Sequence, residues 1–145
     1  MLIRKTLAAL CATAMLPLAA VYAADDQQFP SEQGSITATP VAKGLDHPWA
    51  VAFLPDKQGF LVTERPGRLR VVSPDGKLSA PLTGVPEVWA KGQGGLLDVL
   101  LSPDFKQDRM VYLSYAEGGG QDGKAGTAVG RGRLATDLSG LTDFK

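Results

Sequence analysis

Residues 48–64, PWAVAFLPDKQGFLVTE, and residues 95–115, GLLDVLLSPDFKQDRMVYLSY, follow the same plan. Each stretch has an apolar run, then a Pro-Asp pair, then a second apolar run. The two prolines, Pro55 and Pro103, are 48 positions apart. Because Pro and Asp favour tight turns, each stretch predicts two antiparallel strands joined by a turn. A repeat of about 40–50 residues is typical of the blades of a β-propeller.

Turn signals after each stretch predict further strands, so that each unit has four. In the first unit we expect strands at Trp49–Leu54, Gly59–Thr63, Arg68–Val72 and Leu78–Leu82. In the second unit we expect them at Leu96–Leu101, Met110–Ser114, Ala128–Leu134 and, as the weakest pattern, near Leu141–Phe144. The chain is therefore predicted to be all-β, with about two propeller blades. Strand spacing alone would also fit a β-sandwich or another meander.

Two blades cannot close a ring, because propellers typically have four to eight. Open repeats leave strand edges and apolar faces uncovered. We therefore expect residues 36–145 to be the N-terminal part, blades one and two, of a larger propeller domain.

The N-terminus has the composition of an export signal. Two basic residues precede an apolar stretch at 7–21, and small residues predict cleavage after Ala23. That stretch is shorter than the roughly 20 residues of a membrane span, so we expect no span after cleavage of residues 1–23. We therefore expect the protein to be periplasmic or secreted. Residues 24–35 are polar and are expected to be a flexible lead-in.

Charge and cysteine content exclude several functions. The sequence has 15 basic and 15 acidic residues. It therefore lacks the excess of positive charge that would indicate a nucleic-acid partner. Its single cysteine, Cys11, lies in the predicted signal, which leaves a mature chain without disulfides. No cluster of Cys or His indicates a transition-metal site.

Three stretches carry a resemblance to a known family. They are LDHPWAVAFLPD (45–56), LSAPLTGVPEVWAKGQGGLLDVLLSPDF (78–105) and LSYAEGGGQDGKAGTAVGRGRL (113–134). They closely resemble the pyrroloquinoline quinone (PQQ)-dependent soluble aldose sugar dehydrogenases of the glucose/sorbosone dehydrogenase family. The resemblance implies a six-bladed propeller that oxidises an aldose at C1 to a lactone and passes electrons to an acceptor. It also implies PQQ and calcium as cofactors.

The segment AKGQGGLLDV (90–99) contains the candidate cofactor contact, Gln93. By similarity, this glutamine contacts PQQ from the loop that leads into the innermost strand of blade two. A neutral amide suits the role, since it offers two donors and one acceptor without a charge to desolvate. The glycines at 92, 94 and 95 are expected to let the backbone approach a planar ligand closely.

The sequence contains no residue that we assign as catalytic or as a metal ligand. The resemblance places the catalytic histidine and the calcium ligands downstream of the matched stretch. His47, the only histidine, is interpreted as a turn residue before Pro48. We therefore expect these 145 residues to be inactive alone. A non-catalytic propeller binding module, or a truncated gene product, is the alternative.

Other polar and aromatic residues have structural interpretations. Asp98 is expected to be a buried or water-linked carboxylate that bonds to neighbouring backbone amides, with an acidic group near the substrate as the alternative. Arg65, Arg68 and Arg70 cluster after the second strand, where contact with a carboxylate of a ligand is one interpretation. Because Arg68 and Arg70 alternate on an outer strand, they are interpreted instead as a solvated face. Trp49 and Trp89 are interpreted as packing or turn anchors.

The glycine-rich loop at 117–126 lacks the spacing of a phosphate-binding loop, so we expect no nucleotide there.

Overall fold

The computed structural model describes residues 26–118 and 123–145, which form antiparallel strands with two short helical turns. The predicted export signal lies outside the described residues, as do residues 119–122 of the glycine-rich loop. The strands are β1 (Gln27–Ser31), β2 (Gly34–Ala38), β3 (Pro48–Phe53), β4 (Phe60–Glu64), β5 (Arg68–Val72), β6 (Leu96–Leu101), β7 (Met110–Gly118), β8 (Ala125–Leu134) and β9 (Leu141–Thr142). The helical elements are a 3₁₀ turn at Pro55–Lys57 and helix α1 (Phe105–Asp108).

The strands form three antiparallel sheets, in the orders β1-β2, β3-β4-β5 and β6-β7-β8-β9. The second and third sheets coincide with the two repeat units of the sequence. The all-β class is therefore confirmed, and the two sheets match the two predicted blades, although the first has three strands. Strands β7 and β8 are longer than the sequence pattern predicts, because their pairing continues to Gly118 and Ala125 beyond the apolar runs.

Both Pro-Asp pairs make the turn that the sequence predicts, and both hairpins close with a backbone hydrogen bond. In the first blade Leu54 N–H donates to Gly59 O at 2.9 Å. In the second blade Ser102 N–H donates to Met110 O, also at 2.9 Å. The residues between form the 3₁₀ turn in one case and α1 in the other. The repeat therefore extends to the way each turn is closed.

The core lies between the two blades. Leu61 and Leu69 of the first blade and Leu96 and Leu113 of the second are all fully buried in one apolar cluster. Burying a side chain of this size stabilises the folded state by about 1.5–3 kcal/mol. The blades therefore share one core, and each covers the apolar face of the other.

A buried hydroxyl adds a polar tie between the blades. Thr63 Oγ1 on β4 accepts from Ala50 N–H at 3.1 Å and donates to Leu97 O on β6 at 2.6 Å. Buried polar groups are costly unless they are hydrogen-bonded, and here both functions of the hydroxyl are satisfied. The tie fixes the start of β6 against β3 and β4.

The prediction of a fourth strand at Leu78–Leu82 is wrong. Residues 78–82 run beside β5, but only an isolated bridge between Val72 and Leu78 forms there. Backbone contact continues at two points, Ser79 N–H to Val71 O and Leu82 N–H to Leu69 O, each at 2.9 Å. Pro81 has no N–H, so a regular ladder cannot run through it.

The described part of the expected lead-in has a defined secondary structure. It belongs to the hairpin of β1 and β2, in which Phe29 faces Ile36 across the ladder. All residues of both strands are exposed, in agreement with the polar composition. The sequence did not predict this hairpin, because a two-stranded ribbon without a buried face has no alternating pattern of apolar residues.

Candidate functional site

An open cleft lies beside the starts of β3 and β6, where the two blades meet. Its volume is about 420 Å³. Its walls come from three segments of the sequence: the residues at the start of β3, the turn after β4 and the loop before β6. The lining residues are His47, Pro48, Trp49, Arg65, Gly92 and Gln93.

Gln93 is exposed in the loop before β6, and it borders a second cavity of about 280 Å³ that Trp89 and Thr127 also line. Within the described parts of the chain, its side-chain amide has no hydrogen-bond partner. Two donors and one acceptor are therefore open to an external polar group. This position is compatible with the predicted cofactor contact, which stays a prediction.

Arg65 holds the Gln93 loop in place. Its Nη1 donates to Gly92 O at 2.8 Å, and its own carbonyl accepts from Leu96 N–H at 3.0 Å. On the other side, Arg65 N–H donates to His47 O at 3.0 Å. One residue thus connects all three segments that form the cleft. Sequence analysis missed this role, since a guanidinium bound to a backbone carbonyl has no local sequence signal.

The glycines of the loop mainly make room for the protein itself. A Cβ at Gly95 would lie 2.2 Å from Arg65 O, and a Cβ at Gly94 would lie 2.3 Å from Trp89 O. Only Gly92, with φ +57°, has open space beside it. The expected clearance for a planar ligand is therefore wrong for Gly94 and Gly95, whose missing side chains accommodate neighbouring backbone.

Both inner strands have an irregularity at their cleft ends. The register shifts between Pro48 and Ala50 in β3 and between Leu96 and Val99 in β6. Such bulges redirect side chains and are frequent beside functional sites. In β3 the additional residue is Trp49, whose side chain lines the cleft with 52% of its surface exposed. Trp49 is therefore not packed within the described strands, while its alternative role as a turn anchor stays a prediction.

Trp89, in contrast, has the predicted anchoring role. Its N–H donates to Ala116 O at 2.7 Å, and its ring lies against Gly118, where an added Cβ would meet the ring at 2.3 Å. The ring also lies 4.4 Å from Lys91 Nζ, within the range of a cation–π contact. Trp89 thus fixes the start of the Gln93 loop to the end of β7.

A buried carboxylate, Glu64, lies behind the cleft at the end of β4. It is fully buried and accepts from Asp46 N–H at 2.5 Å, Arg68 Nε at 2.7 Å and Arg70 Nη1 at 3.2 Å. Arg70 also donates to Ser79 O at 2.8 Å. The interpretation of Arg68 and Arg70 as a solvated face is therefore wrong. The signal was available, because hairpin register places both arginines on the face of Glu64.

The hydrogen bonds keep Glu64 ionised. Burial alone would raise the pKa of its carboxyl, but donation from Arg68, Asp46 N–H and Arg70 outweighs burial and lowers that pKa below its ordinary value. The pKa of Arg68 is raised in turn, chiefly by its bonds to Glu64 and Asp46. Glu64 at the end of β4 and Arg68 at the start of β5 thus form an ion pair behind the cleft, in which each charge neutralises the other.

His47 lies in the bend before β3, as predicted, and it also lines the cleft. Its Nδ1 lies 2.5 Å from Asp46 Oδ1, and Asp46 Oδ2 accepts from Arg68 Nη2 at 2.7 Å. The hydrogen bond from Arg68, followed by that from His47, lowers the pKa of the Asp46 carboxyl. The charged support behind the cleft therefore extends through Asp46 to the imidazole.

Asp98 lies outside the cleft. Its Oδ1 accepts from Val99 N–H at 2.9 Å, and its own N–H donates to Ser114 Oγ at 3.0 Å. Its carboxylate is exposed beside a cavity of about 160 Å³ that Leu100 and Val129 also line. The structure thus agrees with the amide-bonded interpretation, except that the carboxylate is at the surface.

Over residues 26–118 and 123–145, no three His, Cys, Asp or Glu side chains lie close enough together to hold a metal ion. In the same part of the chain, no helix has the length and apolar character that crossing a bilayer requires.

Two neighbouring β-sheets with the strand plan of propeller blades, and an open cleft where they meet, place this protein among the β-propellers. The sequence model of glucose/sorbosone dehydrogenases matches residues 45–145, and the chain belongs to that family. It is 65% identical over 101 residues to the aldose sugar dehydrogenase YliI of Escherichia coli, an alignment that covers 70% of this chain and 27% of the relative. It is 33% identical over 76 residues to quinoprotein glucose dehydrogenase B of Acinetobacter calcoaceticus, covering 51% of this chain and 16% of that protein.

Solved structures agree with the sequence comparison. The apo-form of the soluble aldose sugar dehydrogenase of Escherichia coli superimposes with a TM-score of 0.67 at 65% identity, over 70% of this chain and 29% of that one. The PQQ-bound aldose sugar dehydrogenase of Streptomyces coelicolor superimposes with a TM-score of 0.55 at 28% identity, over 72% and 29%. The chain thus spans less than a third of the length of these relatives.

Proposed function

We propose that this chain is part of a PQQ-dependent dehydrogenase that oxidises an aldose at C1 to the lactone and passes the electrons to an acceptor. The observation that carries the proposal is the exposed Gln93 amide at the cleft where the two blades meet. Family membership supports it, and so do relatives that are a quinoprotein and a PQQ-bound enzyme.

The residues of the cleft fit one wall of a site for PQQ. The quinone carries carboxylates and carbonyl oxygens, and the Gln93 amide can donate to such oxygens without bringing a second charge into the cleft. Arg65 orients the amide indirectly, since it holds the carbonyl of the preceding Gly92 at 2.8 Å. When bound, PQQ supplies the two-electron oxidant that amino-acid side chains lack.

The remaining functions of the site are assigned more narrowly. We assign the general base to none of the residues lining the cleft. Among the described residues, no three His, Cys, Asp or Glu side chains come together, so we assign no calcium ligand to them. No step of the mechanism is therefore routed through a metal here. We also propose that the 145-residue chain alone does not oxidise sugars, since it matches 27% of the length of the relative YliI.

The test is dye reduction by the protein at its full natural length, purified without cofactor. Glucose should reduce an artificial electron acceptor only after PQQ is added, while NAD should not replace PQQ. Binding of glucose without any PQQ-dependent reduction would contradict the proposal and favour a non-catalytic propeller module.

We further propose that the protein is exported to the periplasm or secreted, on the signal predicted at residues 1–23. N-terminal sequencing of the protein from the periplasmic fraction should begin at Ala24. A cytoplasmic protein that begins at Met1 would contradict export.

A further inference from the structure

Asp46 and His47 form an acid–imidazole pair at the edge of the cleft, which the proposed function does not use. The contact between Asp46 Oδ1 and His47 Nδ1 is 2.5 Å long. The other carboxylate oxygen is held by Arg68 at 2.7 Å, and Arg68 is itself bonded to the buried Glu64. The acid is therefore fixed from behind by a charged network.

The pair determines which nitrogen of the imidazole carries the proton. An ionised carboxylate only accepts hydrogen bonds, so Nδ1 must donate to Asp46. In the neutral imidazole this leaves Nε2 unprotonated, with a lone pair able to accept. Of the residues that the structure describes, none hydrogen-bonds Nε2, and 65% of the His47 side chain is exposed.

The backbone also holds His47 in an unusual conformation. Residues before proline favour extended backbone, yet His47 precedes Pro48 with a φ of +49°. Positive φ is uncommon outside glycine and persists where surrounding contacts enforce it. Here Arg65 N–H donates to His47 O at 3.0 Å. His47, which lines the cleft, is thus held in place through both its side chain and its backbone.

We propose that His47 Nε2 accepts a hydrogen bond from a hydroxyl of the aldose in this cleft, and that Asp46 is a positioning residue that fixes the tautomer. The inference rests on the proposed function, because it takes the ligand to be a sugar. Hydroxyls are donors that match an unprotonated Nε2, and Gln93, which lines the same cleft, offers complementary donors. The exposed ring of Trp49 adds the apolar surface that the carbon face of a sugar packs against.

Kinetics of the PQQ-loaded protein at full length provide the first test. His47→Ala should raise KM for glucose about 5- to 10-fold, the effect of one lost neutral hydrogen bond, with kcat within about 2-fold. His47→Gln should recover part of the loss, since its amide oxygen can accept. Asp56→Asn, which changes an exposed acid of the first Pro-Asp turn, should leave KM unchanged. An unchanged KM in His47→Ala would overturn the proposal.

Nitrogen-15 NMR of the His47 ring gives a readout that does not depend on turnover. Wild-type protein should show the Nδ1–H tautomer, and glucose should shift the Nε2 resonance. Asp46→Asn should move the proton to Nε2, because Arg68 requires the amide oxygen and the amide NH2 then faces Nδ1. A wild-type ring with its proton on Nε2, or no glucose-induced shift in a protein that oxidises glucose, would overturn the proposal. Absent PQQ-dependent oxidation together with the expected tautomer and shift would instead contradict the proposed function.

Discussion

The two blades share one plan of strands and turns but are stabilised differently beyond their shared core. The first blade buries the carboxylate of Glu64 against two arginines. The second blade packs Phe144 over Gly130, where a Cβ would lie 2.5 Å from the ring, and beside Tyr115 with ring centroids 6.2 Å apart. The buried ion pairs of Glu64 lie behind the cleft. The two blades thus share a backbone plan but differ in the side chains that stabilise them, and the charged side chains lie in the blade behind the proposed ligand site.

The largest effect is expected from removing the charge at the centre of the first blade. Glu64→Ala leaves Arg68 and Arg70 without their buried partner and should lower the free energy of unfolding by about 3–5 kcal/mol. Urea unfolding followed by circular dichroism measures the loss.

Two further variants show whether the charge or the volume of the Glu64 side chain is responsible for the loss of stability. Glu64→Gln keeps the shape and an acceptor and should lose less, about 1–2 kcal/mol. Glu87→Ala changes an exposed glutamate and should stay within about 0.5 kcal/mol of wild type. Equal stability of Glu64→Ala and wild type would show that the two blades do not differ in the way described.

The second test compares two glycines of the cleft loop. Gly95→Ala should destabilise the protein by about 2–3 kcal/mol, because its Cβ would lie 2.2 Å from the backbone oxygen of Arg65. Gly92→Ala, in open space at φ +57°, should cost only the left-handed strain of about 1–2 kcal/mol. Thermal unfolding of both variants distinguishes them. The reverse order would mean that the loop is not packed on Arg65 as described.

Acid should weaken the first blade through Glu64. Because its folded-state pKa lies below the ordinary 4.5, its ionised form stabilises the fold above that pH. This stabilisation is lost as pH falls through the lowered pKa. The difference in unfolding free energy between wild type and Glu64→Gln should therefore be constant from about pH 7 to 5.5 and shrink below about 4.5. A difference independent of pH down to 3 would contradict an ionised Glu64.

The smallest effect is expected where the two Pro-Asp turns touch. Lys106 Nζ lies 2.6 Å from Asp56 Oδ1, and both side chains are about two-thirds exposed. Such surface pairs contribute at most about 0.5–1 kcal/mol. A double-mutant cycle of Asp56→Ala and Lys106→Ala should give a coupling energy in that range, decreasing with added salt. A larger, salt-insensitive coupling would mean that the turns hold the blades together.

The repeat predicted the fold well because period, turn residues and apolar runs are local properties. Pro55 and Pro103 marked both hairpins, and the inner and middle strands followed from the apolar runs. The segment at 78–82 was misjudged because apolar residues indicate burial beside a strand as readily as pairing within one. Pro81 was the residue that argued against the strand.

The site was less predictable, because its contacts join residues that are distant in sequence. Gln93 was identified from a resemblance, while the roles of Arg65 and Asp46 depend on hydrogen bonds across three segments. The bulge at Trp49 was hidden because an additional residue in a strand changes the direction of side chains without changing composition. Glu64 could have been recognised from the alternating arginines that follow it in the hairpin.

The affinity of Gln93 variants for PQQ tests the central proposal most directly. Absorbance titration of the protein at full natural length should show a Kd about 5- to 10-fold higher for Gln93→Ala than for wild type, with an unchanged urea midpoint. Gln107→Ala, an exposed glutamine on α1, should bind PQQ as wild type does. Equal affinity of Gln93→Ala and wild type would contradict the assignment of Gln93 as a cofactor contact.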